Sequence, residues 1–296
     1  MEKYDLTFIG HVCFDEIVPF SSGRYIAAGS AVLQGAIASS RIGMKTAVIT
    51  KYAPKDNILI DPLIENDITV FSIDASESSW MYVWHPTQNV DDREMILKHN
   101  AGFFDISEMP DIETNWMHLA GISNQEFSLD FIFGLKSKGY NLSIDLQSLV
   151  RQTHPETKNV SYGDDERKKE IVSMMQRVKL DIVEAEILTG TDDLEEASKI
   201  ILKWGCPEVV LTKSEGVLVN YKGEIFWEKF SNRSVLGRTG RGDTTFSAYL
   251  SRRFTHSPQE ALKFAASLVS IKMESSGPFS GTLEDVEKRM KEDKRA

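Results

Sequence analysis

The sequence predicts a three-layer α/β protein in which helices cover both faces of a central, mainly parallel sheet, with a small β-lid beside it. Two observations lead to this fold class. Short runs rich in β-branched residues alternate with segments of helical period, as in parallel strands joined by helices. In one place two strand-like runs follow each other with only a polar turn between them, which predicts a hairpin outside the main sheet.

The main strands are expected where short apolar runs are bounded by polar or glycine-containing turns. These runs cover 6–12, 46–51, 68–73, 117–120, 142–146, 209–212 and 217–221. Helices are predicted between them at 126–138 and 194–204. A further helix is predicted at 258–273, because Ser257 can cap it, Pro258 suits its first position and Glu260 completes a capping box.

The domain organisation follows from length and continuity. A chain of 296 residues can bury one large core, and no repeat, linker or low-complexity tract divides it. We therefore expect a single domain over 1–296. The lid is expected to come from about 12–28 and 78–100, the second segment holding the strand-like runs 80–85 and 94–99.

Composition excludes several functional classes. The net charge of −10 disfavours a nucleic-acid partner, which would need a basic stripe, although local basic groups could still hold an anionic ligand. No apolar run approaches the roughly 20 residues that span a bilayer, and the first residues lack the apolar core of a secretion signal. Cys13 and Cys206 form no CxxC pair. We expect a cytoplasmic protein without a membrane partner.

The most informative motif is Gly240-Arg241-Gly242-Asp243, which leads into a segment of helical spacing. Glycines allow a tight turn, and N–H groups at a helix start attract anions. Such a site could hold the charge of a phosphoryl group in transfer, while the aspartate accepts the proton of the attacking hydroxyl. The alternative is a loop whose aspartate only caps the helix, and the motif by itself leaves both open. No Walker A motif occurs.

The segment 238–246 resembles the C-terminal signature DTxGAGD of the PfkB (ribokinase-like) carbohydrate kinases. Three more stretches agree with this family in order and spacing: Gly29-Ser30-Ala31 with the following 42–49, the segment 181–190, which is similar to the family's NxxE motif, and 209–213 with 216–219. The resemblance extends from 8 to 278. It implies a ribokinase-like fold and an ATP-dependent kinase for a hydroxyl of a small polyol or sugar.

The resemblance also implies roles for individual residues on the donor side. Asp243 would be the catalytic base, and Gly240, Arg241 and Gly242 would form the anion hole. Glu184 would organise Mg²⁺ and its waters, in keeping with the preference of magnesium for carboxylates and retained water. The residues implied for nucleotide binding are Thr212, Lys213, Gly216, Thr239 and Gly277.

On the acceptor side the resemblance implies Asp15 as a ligand of substrate hydroxyls, since a carboxylate can accept from two neighbouring hydroxyls. The other residues implied for substrate binding are Gly29, Ser30, Arg93, Asp145, Gln147 and Arg151. The lid would exclude water from the phosphoryl group. Its exposed strand edges also favour a homodimer.

Several positions depart from the family pattern. Gly237 replaces the acid that opens the signature, and Arg241 stands where a small residue is typical. Asp181 replaces the asparagine of NxxE, Leu33 replaces an asparagine that contacts the sugar, and Ala28 replaces a glycine. These variants resemble the branch that contains prokaryotic inositol kinases, and myo-inositol is the expected acceptor.

Three alternatives remain open from the sequence. A nucleoside kinase of the same fold would need a slot for the base, which Phe14, Trp80 and Trp84 could supply. A furanose sugar kinase is disfavoured by Leu33. From a different class, the chain could be a catalytically inactive ligand-binding or regulatory relative, which the retained Asp243 and Glu184 disfavour.

Overall fold

The computed structural model describes residues 2–88 and 92–293. The predicted lid turn includes 89–91, which lie outside the described residues. The strands are β1 (Lys3–Ile9), β2 (Cys13–Val18), β3 (Tyr25–Gly29), β4 (Thr46–Tyr52), β5 (Thr69–Asp74), β6 (Ser79–Trp84), β7 (Glu94–His99), β8 (Glu113–Leu119), β9 (Leu142–Asp145), β10 (Arg151–Thr153), β11 (Asn159–Tyr162), β12 (Arg177–Asp181), β13 (Glu208–Lys213), β14 (Gly216–Tyr221) and β15 (Glu224–Lys229). The α-helices are α1 (Ala31–Arg41), α2 (Asp61–Ile64), α3 (Leu129–Ser137), α4 (Gln147–Val150), α5 (Lys168–Met174), α6 (Ile182–Thr189), α7 (Leu194–Lys203), α8 (Arg241–Arg252), α9 (Pro258–Met273) and α10 (Leu283–Asp293).

The predicted α/β class with a mainly parallel sheet is confirmed. Nine strands form the main sheet in the order β15-β14-β13-β12-β9-β8-β1-β4-β5. The seven strands from β13 to β5 run parallel, whereas β14 and β15 add an antiparallel edge. Since the carboxyl ends of parallel strands meet at one edge, β9, β12 and β13 deliver the side chains that follow them to the same place.

Helices cover both faces of this sheet. Within β13, Val210 belongs to the core shared with α1, α8 and α9, whereas Val209 and Leu211 belong to the core shared with α3, α6 and α7. This alternation is what a pleated strand buried on both sides requires. None of the helices in the described part of the chain is long and apolar enough to cross a membrane.

A second sheet of six strands has the order β10-β11-β7-β6-β2-β3. It contains strands from both segments in which we expected the lid, with β2 parallel to β6 and β7 antiparallel to β6. A third segment, β10 and β11, extends it beyond β7. The sequence analysis missed this extension because its strands are three and four residues long and carry no clear apolar alternation.

The predicted helix 126–138 begins later than expected. Ser128 caps α3 by accepting a hydrogen bond from the backbone N–H of Phe131. Glu126, which the pattern placed inside the helix, is instead fully buried and accepts backbone N–H groups of His11 and Ser123. Its carboxylate thereby joins the end of β1 to the segment after β8, a contact between distant parts of the chain that periodicity cannot reveal. Strands β12 and β15 were also not predicted.

The packing of α3 provides a direct test of the core. Phe131 is 2% exposed and packs against Phe104 and Phe127, whereas Phe133 on the same helix is 63% exposed. Phe131→Ala should lower the free energy of unfolding by about 3–5 kcal/mol, because it leaves a cavity in a packed interior. Phe133→Ala should change it by about 0.5 kcal/mol or less. Urea denaturation followed by circular dichroism measures both, and equal effects would contradict this description of the core.

Candidate active site

A cavity of about 770 Å³ lies where the small sheet meets the carboxyl ends of the main strands. Its volume is in the range of sites for small-molecule ligands. Twelve of the residues implied by the sequence line it: Asp15, Ser30, Arg93, Gln147, Arg151, Glu184, Thr212, Thr239, Gly240, Arg241, Gly242 and Asp243. Residues that lie far apart in the sequence are thus brought to one cavity.

Five implied residues do not line the cavity: Gly29, Asp145, Lys213, Gly216 and Gly277. Gly29 leaves room for the carboxylate of Asp15, because a Cβ at position 29 would lie 1.8 Å from the Oδ2 atom of Asp15. A Cβ on Gly216 would lie 2.3 Å from the carbonyl oxygen of Glu228, and the ammonium of Lys213 lies 5.0 Å from the centre of the Trp227 ring. Gly216 and Lys213 therefore have their contacts within the antiparallel edge of the sheet.

The glycine motif opens α8 and lies against the cavity. Gly240 is the N-cap of this twelve-residue helix, with a φ of +77° in the left-handed region that favours glycine. A Cβ on Gly240 would lie 2.5 Å from the side chain of Gln34, and one on Gly242 would lie 2.9 Å from the Nζ atom of Lys179. Since first-turn N–H groups have no acceptor within their own helix, the loop presents hydrogen-bond donors beside Asp243.

Lys179 lies beneath this loop and was missed by the sequence analysis. It is buried in β12, and its Nζ lies 3.0 Å from Asp145 Oδ2 and 3.5 Å from Glu184 Oε2. Burial alone would lower the pKa of Lys179, but the carboxylates of Asp145 and Glu184 raise it above its ordinary value. The ammonium therefore stays charged beneath Gly242. The only sequence signal for this buried lysine is its position between the apolar residues Val178 and Leu180. That signal was not used because strand β12 was not predicted.

Glu184 and Asp181 are the carboxylates that could help to hold a metal ion here. They cap α6 reciprocally: Asp181 accepts from the N–H of Glu184 at 2.9 Å, and Glu184 from that of Asp181 at 2.7 Å. Burial, reinforced by Asp181, raises the pKa of Glu184 above its usual range. No cluster of three or more potential ligands occurs in 2–88 and 92–293. Two carboxylates that line the cavity fit a Mg²⁺ that keeps most of its water.

Asp15 reaches the same cavity from β2 of the small sheet. Its carboxylate accepts a hydrogen bond from Cys13 Sγ at 3.1 Å. Burial raises the pKa of Asp15 to about 6, the Cys13 thiol and Arg151 act against this shift, and Asp243 adds to it. The Nε atom of Arg151 is buried, and none of the residues that the structure describes forms a hydrogen bond with it. These groups offer both an acceptor and a donor to a polar ligand.

Two further positions shape this acceptor side. Ser30 caps α1 with a φ of +130°, a strained conformation for a residue with a side chain, at the point where the chain enters the cavity. Arg93, which directly precedes β7, donates a hydrogen bond to the hydroxyl of Tyr162 at 3.0 Å. Strand β11 thus orients an arginine that lines the cavity.

Gln34 is a second residue that the sequence analysis missed. The family resemblance pointed to Leu33, which replaces an asparagine that contacts the sugar, but Leu33 is 1% exposed and packs in the core. The next residue, Gln34, lines the cavity, and its buried Oε1 atom has no hydrogen-bond partner within 2–88 and 92–293. Buried polar atoms are nearly always paired, so this amide is available to a ligand.

Known proteins resemble this chain over most of its length. A search of family models found no match. The structure of a sulfate complex of a pyrophosphate-dependent kinase in the ribokinase family has 36% sequence identity, covers 95% of this chain and 99% of its own, and has a TM-score of 0.88. A pyrophosphate-dependent kinase in the same family, complexed with a pyrophosphate analog and myo-inositol, has 35% identity, coverages of 96% and 99%, and a TM-score of 0.86. The cytidine kinase of Thermococcus kodakarensis is 26% identical over 257 residues, which are 83% of this chain and 87% of that protein.

The electrostatics of Asp15 can be tested without any substrate. Its carboxyl should titrate near pH 6, against an ordinary value of 3.8. Cys13→Ala should raise this midpoint, because it removes a hydrogen bond to the charged form, and Asp243→Asn should lower it, because it removes a neighbouring negative charge. Carbon-detected NMR of aspartate-labelled protein measures all three midpoints. Shifts of the same sign in the two variants would contradict the arrangement.

Proposed function

This chain belongs to the ribokinase family and is a phosphotransferase with a hydroxyl acceptor, and from this premise we propose that it phosphorylates myo-inositol or a closely similar cyclic polyol. The observation that carries the proposal is the position of Asp243. It lies at the anion-binding start of α8, and Asp15 and Arg151 line the same cavity. Such a site can hold a phosphoryl group and a polar acceptor together.

In the proposed reaction Asp243 accepts the proton of the attacking hydroxyl. The N–H groups of Gly240 and Gly242 donate to the phosphoryl oxygens, where negative charge accumulates in the transition state, whereas the N–H of Arg241 donates to the carbonyl oxygen of Arg238. Mg²⁺, held near Glu184 through water, would supply further positive charge to the donor phosphates. The small sheet limits the access of water to the transferring group.

The acceptor is proposed from the polar groups on the side of Asp15. The carboxylate of Asp15 can accept two hydroxyls and Arg151 can donate. The amide oxygen of Gln34 has no partner in the described part of the chain and can also accept. Neighbouring hydroxyls around a ring suit such a set of acceptors and donors. The relative that was solved with myo-inositol supports this choice of acceptor.

For the donor we propose pyrophosphate in preference to the ATP implied by the sequence motifs. Lys213, Gly216 and Gly277, three of the residues implied for nucleotide binding, lie outside the cavity lining, whereas Arg238 and Arg241 are part of it. A cavity lined by guanidinium groups suits a compact polyphosphate. The pyrophosphate-dependent relatives support this choice. ATP remains the competing donor because Val235 and Leu236, which also line the cavity, are exposed apolar side chains that could contact a base.

A nucleoside is the second candidate acceptor. Phe20 and Tyr25 line the cavity and are about half exposed, at 53% and 50%, so their rings could stack on a base. The cytidine kinase relative is consistent with this alternative. A nucleoside is larger than myo-inositol and would fill more of the cavity. Comparing kcat/KM for the two acceptors distinguishes between them.

A matrix of acceptors and donors tests the proposal. Purified protein is incubated with Mg²⁺, with pyrophosphate or ATP, and with myo-inositol, other polyols, pentoses, hexoses or cytidine. We expect phosphorylated myo-inositol, with the higher kcat/KM for pyrophosphate, measured by phosphorus NMR. Preferential turnover of cytidine would support the nucleoside alternative. If one compound binds tightly but none is phosphorylated, the proposed reaction is contradicted. The chain would then be a catalytically inactive ligand-binding or regulatory relative.

The role of Asp243 has its own test. Asp243→Asn should lower kcat by about 10²–10⁴-fold, because the amide cannot accept the hydroxyl proton, while donor affinity changes little. Steady-state kinetics and calorimetric titration of the donor separate the two effects. Asp61→Asn, a change at an exposed aspartate of α2, which packs against the edge strand β5, serves as the matched control. Near-normal turnover in Asp243→Asn would exclude this residue as the base.

A further inference from the structure

A buried lysine on a distant helix contacts the loop before α8. Lys272 lies in the last turn of α9 and is 1% exposed. Its Nζ donates a hydrogen bond to the carbonyl oxygen of Gly237 at 2.8 Å and another to the carbonyl oxygen of Thr239. The ammonium therefore holds two peptide groups of the segment that leads directly into the glycine motif.

The charge of Lys272 is balanced differently from that of Lys179. Lys179 lies between two carboxylates, whereas no carboxylate of residues 2–88 and 92–293 forms an ion pair with Lys272. Burial lowers the pKa of Lys272 to about 8, and Asp243 acts against this shift. A mostly protonated ammonium with only carbonyl ligands adds net positive charge beneath the loop.

The same helix end holds this loop by its backbone. The N–H groups of Leu236 and Gly237 donate to the carbonyl oxygen of Met273 at 2.8 and 3.1 Å. A Cβ at Gly237 would lie 1.8 Å from the carbonyl oxygen of Ser275. The glycine that replaces the expected acid is therefore required by close packing on the end of α9. An acidic side chain could not occupy position 237 without moving this backbone.

We propose that Lys272 is a positioning residue for phosphoryl transfer, a built-in cation that orients the anion-binding N–H groups and adds positive charge behind them. In a trans peptide the C=O and the following N–H point in opposite directions. When Lys272 binds the Thr239 carbonyl, the N–H of Gly240 must point away from the ammonium. The role of the loop in this inference rests on the proposed function, whereas the contacts of Lys272 do not.

The test uses three variants of the full chain. Lys272→Met keeps the volume and removes the charge and both hydrogen bonds, whereas Lys272→Gln keeps a donor without the charge. Lys263→Met changes a partly exposed lysine of the same helix and is the control. We expect kcat to fall about 10- to 100-fold in both Lys272 variants, with weaker binding of pyrophosphate measured by calorimetry without acceptor. Added ammonium chloride, against sodium chloride at equal ionic strength, should restore part of the activity of Lys272→Met.

Folding is controlled by circular dichroism and by hydrogen exchange of the peptide that covers 236–243. A folded Lys272→Met with kcat and pyrophosphate affinity within about twofold of the wild type would overturn the inference. If Lys272→Met does not fold, wild-type kinetics in Lys272→Gln would overturn it equally. If the wild type itself shows no turnover, the proposed function fails, and the inference is then judged by the exchange of 236–243, which should be faster in the Lys272 variants only.

Discussion

The site depends on a charge that the fold has removed from water. An ammonium such as that of Lys179 is costly to bury unless carboxylates surround it, and removing one partner of a buried pair is strongly destabilising. Asp145 comes from the end of β9 and Glu184 from the first turn of α6, so this ion pair joins neighbouring strand ends and a helix start. Gly242 completes the arrangement, since a Cβ there would lie 2.9 Å from Lys179 Nζ and would force the ammonium to shift. One electrostatic requirement thus determines the relative position of β9, β12, α6 and α8.

Much of the fold was predictable because its signals are local. Strands buried on both faces leave short apolar runs, and the capping box at Ser257 predicts the start of α9, where the structure has it. The glycine motif likewise predicts a helix start at Gly240. The features that the sequence analysis missed depend instead on contacts between distant residues. Glu126 joins segments more than a hundred residues apart, and β10 and β11 exist only because β7 provides a pairing edge. Such contacts depend on the whole chain and leave no periodic pattern.

The residues of the candidate site also divide into those that motifs revealed and those that only the structure revealed. Motifs led to Asp243, Asp15 and Glu184, which line one cavity. Lys179 and Lys272 were missed, because a lysine within an apolar stretch looks like an exception to burial until its partners are known. The partners of Lys272 lie 33 and 35 positions earlier in the sequence. What the sequence analysis regarded as a missing acid at Gly237 is, in the structure, a close contact between a loop and the end of a helix.

Asp15 and Asp243 belong to different bodies of secondary structure: the first is on a strand of the small sheet, the second on a helix packed against the main sheet. A ligand that bonds to both must therefore bridge them. The distance between the two carboxylates is therefore set by how the small sheet packs against the main one. An acceptor too short to span that distance would contact only one of the two carboxylates, and geometry alone would select against it even if each of its hydroxyls could be recognised.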